Sequence, residues 1–144
     1  MSRVKLPVAV HTFLLRSGSV LLLRRCNTGF EDGKYGLVGG HLEGSESVTQ
    51  AAIRECREEI GVEIDPAHLS VVGVTHYGSP TGEGIDFFLR TTQWTGEPRN
   101  LEPDFCDELR WCRLDALPQN TIPFVRRAAE NMQAGVWFDE LGWE

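Results

Sequence analysis

The stretch GHLEGSESVTQAAIRECREEIGV, residues 40–62, decides how the rest of the chain is interpreted. Apolar residues recur in it at every fourth position, a spacing typical of the buried face of a helix. They are Val48, Ala52, Cys56 and Ile60. Ser45 or Ser47 can cap the start of this helix, and Gly61 is suited to its end. The pattern therefore predicts a helix over residues 47–60.

The same stretch holds a spaced set of charged residues and glycines that fits G-x5-E-x7-R-E-U-x-E-E-x-G-U, where U is apolar. With ordinary amino-acid usage, its seven identities arise by chance at about one in 10⁸ starting positions. The identities are Gly40, Glu46, Arg54, Glu55, Glu58, Glu59 and Gly61. A solvated acidic helix face requires neither the glycines nor Glu46, so the spacing favours a functional site over such a face.

Three carboxylates lie within about one turn of each other on the predicted helix, those of Glu55, Glu58 and Glu59. They repel one another and sit at the negative end of the helix dipole, and each effect costs a few tenths to about 1 kcal/mol. Hard divalent cations prefer oxygen ligands such as these. The alternative is a solvated surface on which Arg54 and Arg57 serve as partners within the helix, Arg54 reaching Glu58 at i+4.

The pattern is the Nudix box, so the chain resembles the Nudix hydrolase (MutT-like) superfamily. The resemblance implies an α/β fold, an α/β/α sandwich with a mixed sheet between helices, and a single domain over residues 1–144. It also implies binding of Mg²⁺, with Mn²⁺ as a possible substitute, and hydrolysis of a nucleoside diphosphate linked to a further group.

Carried over to this chain, the resemblance assigns a set of metal ligands inside and just before the box. They are the carboxylates of Glu55, Glu58 and Glu59 and the backbone carbonyl of Gly39. Glu46 and Arg54 are expected to orient this constellation. For the general base, we prefer Glu58 or Glu59, with Glu46 as the alternative because family members differ in where the base resides.

The resemblance extends past the box into W-T-G-E-P-R-N-L-E, residues 94–102. This segment is similar to the W-x-G-E-P segment of MutT-like enzymes, in which an acid eight residues after the tryptophan supplies a further carboxylate near the metal. Glu102 matches that position. An exposed loop acid without a function is the competing interpretation, and three neighbouring acids are alternative ligands: Glu97, Asp104 and Asp107.

Three further residues are expected to bind substrate. The strand ending L-L-L-R-R resembles a family strand whose arginine reaches phosphate. Arg24 and Arg25 face opposite ways, and the MutT pattern favours Arg25, with a plain surface arginine as the competing interpretation. Asn120 resembles a base-reading asparagine, with a spacing difference of one residue, although it could equally be a turn residue or a helix cap. Leu37 stands where many purine-cleaning members carry an aromatic-Pro dipeptide, so it can pack against a base but cannot stack as an aromatic ring does.

Around the box, the pattern predicts strands and one more helix. We expect strands over residues 4–15, 20–25, 69–77, 85–94 and 108–114, an extended piece at 37–42, and a helix over 124–134. Residues 27–34, 78–84, 95–107 and 115–123 are expected to be loops. The tail, residues 136–144, could pack on its own core or on a second subunit, so a homodimer is possible.

Composition limits the kinds of partner. The 144 residues carry a formal net charge of −7, which argues against a polymeric nucleic acid or an anionic membrane as partner. No apolar run approaches the length of a membrane span, and residues 1–10 lack the apolar core of a signal peptide. Four cysteines without metal-site spacing are interpreted as buried free thiols of a reducing compartment, and we expect a cytoplasmic protein.

The favoured hypothesis is a metal-dependent pyrophosphohydrolase acting on a nucleoside triphosphate or a nucleoside diphosphate linked to another group. In the expected mechanism, a bound metal lowers the pKa of water and a carboxylate accepts its proton. A nucleotide-sugar or dinucleotide polyphosphate hydrolase is an alternative within the same chemistry. A catalytically silent nucleotide-binding sensor is the alternative from another class, and the complete glutamate set argues against it.

Overall fold

A computed structural model describes residues 2–143 of the chain. Within them, the elements follow in the order β1 (Val8–Arg16), β2 (Ser19–Arg25), β3 (Tyr35–Gly36), β4 (Val38–His41), α1 (Val48–Ile60), a 3-10 turn (Pro66–His68), β5 (Ser70–Ser79), β6 (Gly82–Thr91), β7 (Cys106–Arg113), α2 (Pro123–Ala134) and β8 (Phe138–Leu141). Strands and helices therefore alternate along the chain much as the hydrophobic pattern predicts.

The strands form one mixed network built around β1. Its main path runs β3-β2-β1-β6-β5-β8, and β4 and β7 branch from it by pairing with β1 and β2. β1 pairs in parallel with β6 and antiparallel with β4, so that His11 lies opposite both Phe88 and Gly39. The predicted mixed sheet is confirmed.

The two helices cover opposite faces of this network, and the alternation of side chains along β1 shows why. Val10 and Leu14 point toward α1, where Leu14 packs in one core cluster with Cys56. Phe13 points the other way and packs against Val125 of α2. The arrangement is the α/β/α sandwich that the resemblance implies.

The ends of α1 are capped by side chain and backbone. The Ser47 hydroxyl accepts from the Gln50 N–H at 3.1 Å, and the Gln50 amide oxygen accepts from the Ser47 N–H at 2.8 Å. This reciprocal pair is a capping box, so Ser47 caps the helix and Ser45 does not. Gly61 ends it in the left-handed conformation, with φ of 72°.

The structure differs from the sequence-based strand boundaries in several places. The first strand begins at Val8 rather than residue 4. The predicted loop at residues 78–84 is only a tight turn, because β5 and β6 continue to Ser79 and from Gly82. The glycines that suggested a longer loop lie instead under aromatic rings. A Cβ on Gly78 would press on the indole of Trp143, and a Cβ on Gly84 would press on the phenol ring of Tyr77. The two-residue strand β3 was not predicted.

The C-terminal tail packs on its own sheet. β8 pairs in parallel with β5, and the indole N–H of Trp143 donates to the His76 carbonyl at 3.0 Å. Trp137 and Phe138 remain largely exposed at this edge. A homodimer stays a prediction.

Two further expectations concern the burial of the cysteines and the length of the helices. Cys56, Cys106 and Cys112 are buried free thiols as predicted, whereas Cys26 is only half-buried, because it lies where β2 gives way to an exposed loop. Among the helices of residues 2–143, none has the length and apolar character needed to cross a membrane.

The capping geometry predicts different effects for the two candidate cap residues. Ser47→Ala should lower the free energy of unfolding by about 1 kcal/mol, because the N–H of Gln50 loses its acceptor at the start of α1. Urea denaturation followed by far-UV circular dichroism measures the change. Ser45→Ala is the matched control and should change stability less, and an equal loss in both variants would contradict the assignment of the cap.

Candidate active site

Two adjacent glycines bring strand β4 into contact with the carboxylates of α1. A Cβ on Gly39 would collide with the backbone carbonyl of Val10 in β1, and one on Gly40 would collide with the carboxylate of Glu55. The N–H of Gly39 donates to the carboxylate of Glu59 at 2.9 Å. A side chain at position 39 would push β4 away from β1, and one at position 40 would push β4 away from α1, which explains the double glycine.

Among the carboxyl groups at this contact, Glu59 has the most strongly shifted pKa. Burial raises its pKa to about 8, and the neighbouring charges of Glu55 and Glu102 add to the effect. The hydrogen bond from Gly39 and the positive charge of Arg25 act in the opposite direction. Glu59 therefore lies in a poorly hydrated place between two like charges, where a bound cation would relieve the repulsion.

Glu55 lies one turn before Glu59 and is also partly withdrawn from water. Burial raises its pKa, against the opposing effect of Arg54, whose guanidinium donates to it at 2.9 Å. The carboxylate occupies the space that Gly40 leaves open. Glu55 and Glu59 thus face the same two glycines from successive turns of α1.

Arg54 holds the loop before α1 to the carboxylates of the helix. Its Nε and Nη2 donate to the two oxygens of Glu46 at 3.0 and 2.9 Å, a two-point ion pair. Its Nη1 donates to Glu55 and, at 3.4 Å, to Glu58. The hydrogen bond from Arg54 lowers the pKa of Glu46. Arg54 is thus placed to orient the site, and Glu46, with both oxygens engaged, is a weak proton acceptor.

The loop after β6 docks on the C-terminal end of α1. The N–H groups of Arg99 and Leu101 donate to the carbonyls of Ile60 and Glu59, each at 3.0 Å. These carbonyls would otherwise lack a partner at the helix end. The docking fixes the next residue, Glu102, close enough to Glu59 for its charge to raise the pKa of that carboxyl.

Asn100 fixes the same loop, and sequence reasoning missed it. Its side-chain amide donates to the Cys106 carbonyl at 2.6 Å and accepts from the Glu102 N–H at 2.9 Å. The only signal in the sequence is an amide side chain in a polar loop, which is typical of a turn stabiliser. Its role in placing Glu102 depends on contacts between segments that the pattern does not reveal.

Two of the alternative acids have ion-pair partners of their own, and the third contributes a backbone contact. Glu97 pairs with Arg16 at 3.1 Å, and Asp107 pairs with Arg24 at 2.7 Å. Asp104 uses its backbone carbonyl to accept from the Asn27 amide. Glu102 is therefore the loop acid whose charge bears on Glu59.

Arg24 and Arg25 differ in how much of each guanidinium is occupied. Arg24 uses Nε and Nη1 on Asp107 and Glu108. Arg25 donates from Nε to the Phe30 carbonyl at 2.8 Å, and within residues 2–143 its two Nη groups form no salt bridge. Because Arg25 also bears on the pKa of Glu59, it is the arginine placed to contact an anion beside the carboxylates.

The structure does not bring Asn120 and Leu37 to the carboxylates. The Asn120 amide donates to the Gly33 carbonyl at 2.9 Å, closing the segment before α2 onto the β2–β3 loop. It does not cap α2, whose first turn follows Ile122. Leu37 is 9% exposed and packs in the core with Tyr35 and Ile122. Their substrate contacts stay predictions.

The donor set fits an oxygen-seeking divalent cation in chemistry. Glu59 accepts from the Gly39 N–H, Glu55 lies against Gly40, and the charge of Glu102 acts on Glu59. Oxygen ligands of this kind suit Mg²⁺ or Mn²⁺. Within residues 2–143, no three acidic, histidine or cysteine side chains already form a ready-made metal-binding group. Glu55 and Glu58 instead contact Arg54, so binding a cation requires these side chains to adjust.

The raised pKa of Glu59 predicts how metal-free stability depends on pH. Between about pH 4.5 and about pH 8 the folded protein retains a proton that the unfolded chain has released, so stability falls as pH rises through this window. Glu59→Gln keeps an acceptor for the Gly39 N–H and removes the charge. In chelator-treated protein at pH 8, it should be more stable than the wild type by at least about 1 kcal/mol.

Denaturant unfolding at pH 5 and pH 8 measures this effect, and the gain should be smaller at pH 5. Glu58→Gln is the matched control, because the Glu58 side chain is 52% exposed and its replacement should change stability by less than about 0.5 kcal/mol. An unchanged pH dependence in Glu59→Gln would show that burial of this carboxylate does not limit stability.

Comparison with known proteins identifies the family. The NUDIX domain model matches residues 5–133. The NAD-capped RNA hydrolase NudC of Pseudomonas aeruginosa (strain LESB58) is 30% identical over 128 residues, 89% of this chain and 43% of that protein. The 8-oxo-dGTP diphosphatase of Escherichia coli (strain K12) is 31% identical over 98 residues, 68% of this chain and 74% of that protein.

The crystal structure of a MutT NUDIX hydrolase from Burkholderia pseudomallei has the same fold. It matches with a TM-score of 0.80 at 30% identity, over 88% of this chain and 97% of that one. The chain spans less than half the length of the NudC relative, 43%. With a domain match over most of its length, and with glutamates of the box gathered at a double glycine, the chain belongs to the Nudix hydrolase family as a MutT-like member.

Proposed function

We propose that the protein is a Mg²⁺-dependent pyrophosphohydrolase that cleaves the diphosphate linkage of a nucleoside triphosphate or of a nucleoside diphosphate linked to another group. One observation carries the proposal: the half-buried carboxylate of Glu59, held by the Gly39 N–H, is subject to the negative charges of Glu55 and Glu102, with Arg25 as the opposing charge. A divalent cation neutralises such a cluster and offers its remaining positions to phosphate oxygens.

Glu55, Glu59 and Glu102 would hold the metal, with the Gly39 carbonyl as a further oxygen ligand. Mg²⁺ matches this oxygen donor set, and Mn²⁺ is a suitable substitute. When bound, the metal supplies charge neutralisation at the diphosphate and a lowered pKa for water. Arg54 keeps the helix carboxylates and the loop before α1 in register through its contacts with Glu46 and Glu55.

Glu58 is the proposed general base. The resemblance also makes Glu58 a metal ligand, but because its carboxylate is exposed we assign it to the base instead. One of its oxygens lies 3.4 Å from Arg54. The other oxygen can accept a proton from the attacking water as the new oxygen–phosphorus bond forms and the bridging phosphorus–oxygen bond breaks. Glu46 is less suited, because Arg54 occupies both of its oxygens and lowers its pKa.

The nucleotide character of the substrate rests on the relatives. The names of two of them, NAD-capped RNA hydrolase and 8-oxo-dGTP diphosphatase, describe the hydrolysis of nucleotide derivatives. The net charge of −7 favours a small phosphate compound over a nucleic acid polymer, since polymer binding needs a basic surface. We therefore propose a small nucleoside phosphate as substrate.

The carboxylate assignments predict the outcome of a turnover assay. With a panel of nucleoside triphosphates and nucleoside diphosphate derivatives plus Mg²⁺, Glu58→Gln should reduce kcat about 10²–10⁴-fold through loss of the base. Glu59→Gln should also reduce turnover and should raise the Mg²⁺ concentration at half-maximal rate. Glu63→Gln, an exposed acid paired with Arg57, is the control and should match the wild type.

Undiminished turnover in Glu58→Gln would contradict its assignment as the base. If the wild type binds a member of the panel tightly and hydrolyses none, the catalytically silent sensor replaces the proposed enzyme.

The ion pairs that Arg24 and Arg25 already make predict which of them contacts phosphate. Arg25→Ala should raise KM for the same substrate about tenfold or more, because its charge acts on Glu59 and its Nη groups form no salt bridge among residues 2–143. Arg24→Ala removes an arginine held by Asp107 and Glu108 and should leave KM within about twofold of the wild type. Steady-state kinetics at fixed Mg²⁺ measures both, and a larger effect in Arg24→Ala would reverse the assignment.

A further inference from the structure

The loop between β2 and β3, residues 26–34, is held by its own hydrogen bonds. The Gly33 N–H donates to the Arg25 carbonyl at 2.7 Å, and the Arg25 N–H donates to the Lys34 carbonyl at 2.9 Å, which closes the loop. Inside it, the Asp32 carboxylate accepts from the Thr28 and Gly29 N–H groups at 3.1 and 2.9 Å. The loop is therefore an ordered support for the residues at its tip.

This loop presents a phenylalanine to solvent. Phe30 is 56% exposed, and Arg25 donates from Nε to its carbonyl at 2.8 Å. The centre of the Arg25 guanidinium lies 5.4 Å from the centroid of the Phe30 ring. The ring and the cation thus form one unit on a fixed backbone, with a flat apolar surface next to two Nη donors.

The unit lies beside the candidate metal ligands. Arg25 is the cross-strand partner of Cys106, whose N–H donates to the Glu102 carbonyl at 2.8 Å. The N–H of Cys26 donates to the Phe105 carbonyl, which joins the two loops directly. An anion bound between Arg25 and the carboxylate cluster would therefore have the Phe30 ring within reach of its next chemical group.

We propose that Phe30 is a specificity residue that stacks on the nucleobase while Arg25 binds the adjoining phosphate. This inference rests on the proposed function and adds to it the part of the substrate that is recognised through its aromatic ring. A base contributes a π-face whatever its identity, so stacking selects for the presence of an aromatic ring rather than for one base. The aliphatic side chain at position 37 cannot provide this surface, because Leu37 packs in the core.

Phe105 provides a matched control. It is 52% exposed on the adjoining loop, and within residues 2–143 no arginine lies over its ring as Arg25 lies over that of Phe30. Phe30→Leu and Phe105→Leu remove equivalent rings from exposed positions, so both should keep the thermal unfolding temperature of the wild type. Phe30→Trp retains a stacking surface and tests rescue.

The experiment compares KM for a nucleoside triphosphate with KM for inorganic tripolyphosphate, which has the anhydride and no ring. Phe30→Leu should raise KM for the nucleotide about tenfold and leave KM for tripolyphosphate unchanged. Phe30→Trp should restore the nucleotide KM, and Phe105→Leu should leave both values unchanged. Titration calorimetry of a nucleoside diphosphate and of pyrophosphate, with Ca²⁺ in place of Mg²⁺, repeats the comparison without turnover.

An unchanged nucleotide KM in Phe30→Leu, or an equal rise for tripolyphosphate, overturns the inference and leaves the proposed hydrolase standing. If the wild type hydrolyses nothing on the panel, the proposed function fails, and the calorimetric comparison still decides whether Phe30 recognises a ring. A wild type that binds neither nucleotide nor pyrophosphate contradicts both proposals.

Discussion

The contact between the double glycine of β4 and the carboxylates of α1 is the constraint on which the rest of the site depends. Gly39 lies against the backbone of β1, and Gly40 lies against Glu55, so neither position has room for a side chain. The strand therefore approaches the helix closely enough for the Gly39 N–H to bind Glu59. The same approach removes water from two acidic groups and raises their pKa values.

The helix cannot relieve this repulsion by rotating, because its opposite face is fixed in the core. Ala52, Cys56 and Ile60 have no exposed surface, and Cys56 and Ile60 directly follow Glu55 and Glu59 along α1. Turning the helix to expose Glu59 would expose these apolar groups, at about 25 cal/mol for each square ångström. The core thus holds the carboxylates together, and their electrostatic repulsion is relieved only when a cation or a proton neutralises them.

Much of the fold could be predicted from local patterns, because those patterns record which face of each element is buried. The period of α1, its capping serine and its final glycine all lie within one stretch of sequence. The strands β3 and β8 were missed or left open, because such short strands have no periodic signal and depend on partners far along the chain. The β5–β6 turn was predicted too long because Gly78 lies under the distant ring of Trp143.

The candidate site shows the same division between local and distant information. Alternation places Arg24 and Arg25 on opposite faces, but Asp107 and Glu108 of another strand decide that Arg24 is the occupied one. The positioning role of Asn100 likewise depends on Cys106, with which it forms a hydrogen bond only after the loop folds back. Spacing within one helix identifies the acids, whereas the groups that orient them come from segments whose pairing the sequence alone does not reveal.

The position of the acidic residues changes the interpretation of the net charge of −7. Six of the twenty-one acids lie in residues 43–63, and among them are the helix carboxylates of the candidate site, where a polyanion is the proposed ligand. In the metal-free protein these acids repel phosphate, and Arg25 offsets only part of that repulsion. If the proposed cation and phosphate both bind here, each would neutralise charge that opposes the other, and by linkage each would raise the affinity of the other by the same factor. On the proposed function, the same acidity that argues against a polymeric nucleic acid as partner would make the affinity for a nucleotide depend on the metal.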